Sequence, residues 1–172
     1  MNEKINHQLP EQLPLNKFSH DITEIFEINE STAWVKNILT ELETDRDDDA
    51  LELAPELKIH LEVLRKNDHF LGDHLLVNAD VSGHYHLPCG RCLHPLKQEV
   101  QLELKGAYLN EALEKSPEYE ESTTVYAGGA EVELYFLKKG QAAFNDFIHE
   151  QLVSEMDPFP RCEGECQGQI YF

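Results

Sequence analysis

Apolar and polar residues alternate strictly through the middle of the chain. In residues 75–87 every odd-numbered position is small or apolar, and polar side chains take the even-numbered positions from Asn78 onward. This period of two residues predicts a half-buried β-strand. A second alternation, of the opposite parity, covers residues 96–108. Because only residues 88–95 separate the two segments, they predict an antiparallel hairpin.

Further periodic segments lie on both sides of this hairpin. Residues 57–63 and 132–136 also alternate, so at least four strands and an antiparallel sheet are predicted. Helical spacing relates two sets of apolar residues, which are Trp34, Val35, Ile38, Leu39 and Leu42, and Phe144, Phe147, Ile148 and Leu152. Ser31 or Thr32 can cap the first helix, and Pro158 closes the second. We therefore predict an α+β fold: an antiparallel β-sheet or partly closed barrel with two or three helices, whose apolar faces pack on the sheet.

Composition along the chain indicates its domain organisation. Residues 1–20 contain two prolines and few apolar side chains, and they are predicted to form a mobile N-terminal arm. Residues 21–172 are predicted to form a single α+β domain with acidic loops around 43–50 and 111–122. No apolar run approaches the length of about 18 residues that a membrane span needs, and the N-terminus has no stretch of signal-peptide type. We therefore expect a cytoplasmic protein.

The charge balance changes which partners are plausible. The chain has 14 Lys and Arg residues against 33 Asp and Glu residues, a formal net charge of −19. Acidic residues concentrate in the first and last thirds, and the middle third is nearly neutral. Since nonspecific affinity for nucleic acid comes mainly from cationic side chains, this charge favours a basic partner over a phosphate backbone. A solvated surface that keeps the protein soluble is the alternative interpretation.

Four cysteines form two close pairs, Cys89 with Cys92 in a CxxC sequence and Cys162 with Cys166 in a CxxxC sequence. The CxxC pair lies at the predicted hairpin tip. Zinc prefers tetrahedral soft ligands, and a Cys-x2-Cys turn lets two thiolates point at one ion. We predict one structural zinc ion bound by all four; such a site has no open coordination position and is not catalytic. Reduced thiols without a metal, and a disulfide or redox pair, are the two alternatives.

Histidines near the first cysteine pair offer other metal ligands. His84 and His86 share the polar face of the first hairpin strand, and His94 lies in the turn after Cys92. A histidine on a half-exposed strand is usually a surface residue, so the four cysteines are preferred. The sequence contains none of the nucleotide-binding, zinc-protease or nucleophile-elbow motifs. We predict that the protein is not an enzyme.

Two blocks of sequence resemble a known family. The sequence PCGRCLHPLKQEVQLEL at residues 88–104 is similar to the CxRCL turn and strand of the bacterial YceD family, the large ribosomal RNA subunit accumulation proteins. Residues 144–168 resemble the helix, the proline-rich step and the cysteine-containing tail of that family. The matching residues are Cys89, Arg91, Cys92 and Leu93 in the first block, and Glu150, Pro160, Cys162, Cys166 and Gly168 in the second.

The resemblance implies a non-enzymatic role in ribosome biogenesis. It implies that the protein supports accumulation of the large-subunit ribosomal RNA, with a basic ribosomal protein or a pre-ribosomal particle as partner. Direct binding to ribosomal RNA is an alternative, and a thiol redox protein with Cys92 beside Arg91 is a third. The residues that would serve direct binding are Arg91 and Lys97 at the hairpin, with Lys105, Tyr85 and Tyr108.

Overall fold

The alternating segments form long strands in the computed structural model, which describes residues 4–43 and 54–166. The strands, in chain order, are β1 (Ile5–Asn6), β2 (Gln12–Pro14), β3 (Thr23–Asn29), β4 (Glu56–Asp68), β5 (Gly72–Pro88), β6 (Pro95–Leu109), β7 (Thr124–Ala127), β8 (Ala130–Phe136) and β9 (Gln141–Ala143). Seven of them make one sheet in the order β1-β3-β4-β5-β6-β8-β7, and β2 pairs with β9 in a separate ribbon.

The predicted hairpin is confirmed as the centre of the sheet. Strands β5 and β6 pair antiparallel along most of their length, from Leu75 opposite Tyr108 to Pro88 opposite Pro95. The opposite parities of the two alternations therefore place their apolar residues on the same face. Strand β4 pairs with β5 in the same way, and β3 pairs with β4.

Two strand pairs differ from the antiparallel prediction. Strand β1 is parallel to β3, and β8 is parallel to β6, so the sheet is mixed, and it does not close into the barrel that was the alternative. The chain leaves β6 at Leu109 and returns to its edge as β8 through residues 110–129, which hold a 3-10 turn (Glu111–Leu113) and β7. A crossover of this length permits parallel pairing, which a tight turn does not.

Both predicted helices are present and pack on one face of the sheet. Helix α1 (Ala33–Leu42) follows Thr32, whose side chain makes no capping hydrogen bond, and α2 (Phe144–Glu155) ends before Pro158. Every apolar residue assigned to the two helix stripes is buried in one cluster with the odd-numbered residues of β5. Neither helix of the described residues is long and apolar enough to cross a membrane.

The N-terminal segment packs against this core. Leu9 and Phe18 are buried, and the indole Nε1 of Trp34 donates a hydrogen bond to the carbonyl oxygen of Leu9 at 2.7 Å. The ribbon of β2 and β9 adds backbone hydrogen bonds between this segment and the start of α2. The mobility of the arm and the domain boundary at residue 20 stay predictions. The acidic run at 44–50 lies outside the described residues.

The opposite face of the sheet carries no helix over its central rows in the described part of the chain. It presents the residues of alternate parity, and we call this surface the open face. Its charged residues are Glu27, Glu56, Glu62, Asp68, Asp80, Glu99 and Glu103, with Lys58, Lys66, Lys97 and Lys105. Seven carboxylates against four ammonium groups leave the open face with a net negative charge.

Candidate metal centre at the hairpin tip

The four cysteines meet where the β5–β6 hairpin turns. The Sγ atoms of Cys89, Cys92, Cys162 and Cys166 all lie within 4.8 Å of one another. The first two come from the loop between Pro88 and Pro95, and the other two come from the tail that follows α2. Two segments far apart in sequence therefore converge on one point. Within the described residues, no other group of histidine, cysteine and carboxylate side chains has this geometry.

The cluster has the dimensions of a tetrahedral thiolate site. Four sulfurs at about 2.3 Å from one zinc ion lie about 3.8 Å apart, and the Cys92 and Cys162 sulfurs are 3.6 Å apart. The cysteines form no disulfide in the described part of the chain. Four soft donors at these separations could hold a metal ion, and zinc is the ion that this donor set suits best.

Backbone hydrogen bonds shape the loop that carries the first pair. The Cys89 N–H donates to the carbonyl of His94, and the Leu93 N–H donates to the carbonyl of Cys89, both at 2.9 Å. The Arg91 N–H points at the Cys89 Sγ, 3.4 Å away. Leu93 takes the left-handed conformation with φ 62° to complete this turn. These backbone hydrogen bonds of the loop therefore direct both thiols inward.

The tail is attached to the hairpin by its backbone as well as by its cysteines. The Gly90 N–H donates to the carbonyl of Pro160 at 2.8 Å. Upstream, the Phe159 N–H donates to the Asp157 side chain at 2.9 Å, which fixes the turn between α2 and the tail. Gly164, between the two tail cysteines, has φ 76°, a conformation that glycine adopts without a steric cost.

The thiols of the cluster do not ionise alike. Hydrogen bonds from the backbone N–H groups of Arg91 and Cys92 lower the pKa of Cys89 to about 6. Burial, together with the neighbouring thiols, raises the pKa of Cys166 to about 12. The loop therefore stabilises the Cys89 thiolate, whereas burial and the neighbouring thiols oppose ionisation of Cys166. A bound divalent cation would overcome that opposition, which is why this arrangement suits a metal.

The comparisons with known proteins identify the family. The family model described as large ribosomal RNA subunit accumulation protein YceD matches residues 77–170, which is more than half of the chain and includes all four cysteines. The chain belongs to the YceD family. No curated protein and no solved structure matches the chain. The matched region runs from β5 through the tail, so it contains the hairpin, α2 and the thiol cluster.

Two of the three histidines proposed as alternative ligands, His84 and His86, have other partners in this YceD-family protein. His86 is buried, and both its backbone N–H and its Nδ1 contact the Glu43 carboxylate, at 2.8 and 3.0 Å. His84 Nε2 lies 3.0 Å from the Ala54 carbonyl. Glu43 is a residue that sequence reasoning missed. It lies at the start of an acidic run and looks like the other acids of that run in the sequence. What distinguishes it is its burial at the end of α1.

The two cations predicted to bind a partner lie at the tip, on the surface. Arg91 and Lys97 are both exposed, and the Lys97 Nζ is paired with Glu99 at 3.0 Å. Tyr85 and Tyr108, the rings that direct RNA binding would need for stacking, are buried in the core. The tip of the YceD-family hairpin therefore offers positive charge, but neither predicted tyrosine is exposed to stack a base beside it.

The third prediction, a redox-active thiol, meets a geometric obstacle. A reactive cysteine needs a low pKa and access to its reaction partner. Cys89 has the lowered pKa, but its exposed fraction is 0%. The thiolate of this YceD-family site is therefore placed to serve as a ligand inside the cluster and is shielded from a substrate in solution.

Proposed function

We propose that this protein supports accumulation of large-subunit ribosomal RNA as a non-enzymatic assembly factor. It binds a basic ribosomal protein or a pre-ribosomal particle through its acidic surface, and one zinc ion joins its hairpin tip to its tail. The observation that carries this proposal is the family match over residues 77–170. The description of that family names RNA accumulation and no catalysed reaction.

The charge of the open face supports a basic partner. One row across the sheet consists of Glu27, His60, Asp80 and Glu103 on four successive strands. The carboxylates of Asp80 and Glu103 lie directly opposite each other and repel, so folding alone gains nothing from that pair. A cationic protein surface would relieve the repulsion and be steered to the face by its field.

The thiol cluster supports a structural role for the metal. Four thiolates fill the tetrahedral coordination of zinc, which leaves no position for a substrate or an activated water molecule. Bound zinc would supply a crosslink between two loops and no chemistry of its own. The hairpin tip, with Arg91 exposed beside Cys92, would then be held as a rigid projection from the sheet.

Cells that lack the protein provide the test of this function. We expect the ratio of large-subunit to small-subunit ribosomal RNA to fall in such cells, and the intact chain to restore it. The triple variant Glu27→Gln, Asp80→Asn, Glu103→Gln should fail to restore it and should lose ribosomal proteins in affinity capture. Its matched control neutralises three exposed acids elsewhere, Glu118, Glu120 and Glu121. An unchanged RNA ratio in the deletion strain would refute the proposed function. Equal failure of both triple variants would refute the open face as the surface that binds the partner.

Direct binding of ribosomal RNA by the tip is the second candidate, and the exposure of both Arg91 and Lys97 favours it. It predicts salt-dependent binding to large-subunit RNA fragments that the change Arg91→Ala abolishes. Lys115→Ala, at an exposed lysine of the loop after β6, is the control. Binding that neither variant alters would place any RNA contact away from the tip.

A further inference from the structure

A cavity lies between β8, the loop after β6 and the first turns of α2. Its volume is about 330 Å³, and its lining combines aromatic rings with carboxylates. The residues that matter are Tyr108, Tyr135, Phe136, Glu114, Asp146 and Glu150. It is remote in the fold from the cysteine cluster, and none of the charged residues of the open face lines it. The proposed function leaves it unexplained.

The aromatic wall of the cavity is held in place. The rings of Tyr108 and Tyr135 have centroids 5.3 Å apart, and the Tyr135 ring meets Phe147 edge to face at 5.3 Å. The Tyr108 hydroxyl donates to the Ala143 carbonyl at 2.7 Å, and the Gln151 side chain donates to the Tyr135 hydroxyl at 3.0 Å. The wall is therefore formed before any ligand arrives, which lowers the entropic cost of binding.

The carboxylates come from two elements and face the same space. Asp146 and Glu150 are one helical turn apart on α2, where like charges repel, and Glu114 approaches from the loop after β6. Burial raises the pKa of Tyr108, and after it the neighbouring Tyr135 and the charges of Asp146 and Glu150 raise it further. Burial raises the pKa of Tyr135 to about 12, with a contribution from Glu150. Both tyrosines therefore stay neutral in a negative field.

The three carboxylates do not form a ready set of ligands for one metal ion. Among the described residues, the four cysteines are the group of three or more such side chains close enough to hold one. Lys138 is the only cation on the lining, and within the described residues it makes no ion pair. The carboxylates thus face a concave aromatic surface without a cation that neutralises them.

We propose that this cavity binds an arginine side chain of a protein partner. A guanidinium is planar, hydrogen-bonds in several directions and stacks on aromatic rings, so it can reach separated carboxylates while it lies against the partly exposed Tyr135 ring, which the buried Tyr108 supports from behind. The cavity stands on its own geometry; only the identification of the arginine donor as the basic ribosomal partner rests on the proposed function.

A titration with three small probes tests the site on the full chain. Acetyl-arginine-N-methylamide is added to isotope-labelled protein while amide resonances are recorded, in parallel with the lysine and citrulline analogues. We expect saturable shifts at residues 134–136 and 146–150 with a dissociation constant on the order of 1–10 mM. The lysine probe should bind at least about threefold more weakly, and neutral citrulline should not saturate. Shifts spread over all acidic segments, or equal shifts with citrulline, would overturn the proposal.

Two variants and a matched control locate the binding. Glu150→Gln should weaken the arginine probe about fivefold or more, since it removes one charge from the lining. Tyr135→Leu should weaken it through loss of the ring. Glu155→Gln, an exposed glutamate near the end of the same helix and outside this cavity, should leave binding unchanged. If Tyr135→Leu unfolds the chain, the comparison of Glu150→Gln with Glu155→Gln decides whether the probe binds in the cavity. Equal effects of these two variants on the affinity for the arginine probe would refute the site. These readouts do not depend on ribosomal RNA levels, so the two proposals fail separately.

Discussion

Leu93 combines two features that folding does not favour in one residue. It has φ 62°, and 59% of its side chain is exposed. For an ordinary side chain the left-handed region costs about 1 kcal/mol, and a β-branched residue tolerates it least. We expect Leu93→Val to reduce the free energy of unfolding by about 1–2 kcal/mol, whereas Leu93→Gly stays within about 0.5 kcal/mol of the parent protein. Urea unfolding measures both. Equal free energies of unfolding for the two variants would show that the backbone at Leu93 is not strained.

His60 is the residue whose protonation depends most directly on the open face. A hydrogen bond to Glu27, with a further contribution from Glu62, raises the pKa of His60. The folded pKa therefore lies above the unfolded value of about 6.5. The stabilisation from this contact is complete below that pH and is lost as the pH rises through the folded pKa. Since all three side chains are more than one-third exposed, we expect an effect below about 1 kcal/mol.

An NMR titration of the His60 ring checks this prediction. Glu27→Gln should lower the pKa of His60, because it removes the main negative partner. Glu103→Gln, two strands further across the same row, should change it little. A His60 pKa at or below the model-peptide value of about 6.5 in the parent protein would show that the hydrogen bond to Glu27 is not formed.

The residue scale also shows where sequence reasoning stops. The two cysteine pairs could be recognised because their spacing is local, and the meeting of the pairs followed from placing one at a hairpin tip. Glu43 could not be recognised as the partner of His86, because its carboxylate contacts the His86 ring only once α1 packs on the sheet. The left-handed turn at Leu93 was also hidden, because no glycine or asparagine marks the position.

At the scale of elements, one glycine controls how β4 and β5 approach. Gly83 has φ +143°, and a Cβ atom there would lie 2.1 Å from the Glu56 carbonyl oxygen. We expect Gly83→Ala to cost about 3 kcal/mol, because strain adds to a clash with backbone that cannot move aside. Gly129→Ala is the control, since its φ is +83° but nothing lies within 4 Å; it should cost about 1 kcal/mol. Urea unfolding, monitored by Trp34 fluorescence, measures the free energy of unfolding of both variants. Equal losses of stability would show that β4 and β5 can move apart to accommodate the Cβ atom of Ala at position 83.

The strands themselves were predictable to different degrees. Strands β4, β5 and β6 can be recognised in the sequence from the alternation of apolar and polar residues, because one face of each is buried and the other is solvated. The parallel pairing of β8 with β6 was not predictable, since it depends on the path of residues 110–129 across the edge of the sheet. The N-terminal ribbon was missed for a similar reason. Its burial rests on a few contacts, such as Leu9 with Trp34, that leave no periodic pattern.

At the scale of the whole molecule, the excess of acidic residues is distributed over particular surfaces. Part of it forms the open face, and part surrounds the cavity at the start of α2. Composition alone led us to propose a basic partner. Which acids share a surface depends on register and topology, so it required the structure. Under that proposal the two surfaces would serve one extended basic partner, because flexible cationic chains bind through several weak contacts.

The thiol cluster connects distant parts of the molecule, and its removal tests the whole architecture. We expect protein purified without chelator to hold about one zinc per chain with four protected thiols. Removal of the metal, or Cys89→Ser or Cys162→Ser, should lower the melting temperature by about 10 °C. Far-ultraviolet circular dichroism should still report the sheet, because the core cluster contains none of the four cysteines.

His94→Asn, next to the site but outside the ligand set, should keep the zinc. Metal-free protein with four reactive thiols and an unchanged melting temperature would show that the tail is held by its backbone contacts, such as Gly90 with Pro160, alone.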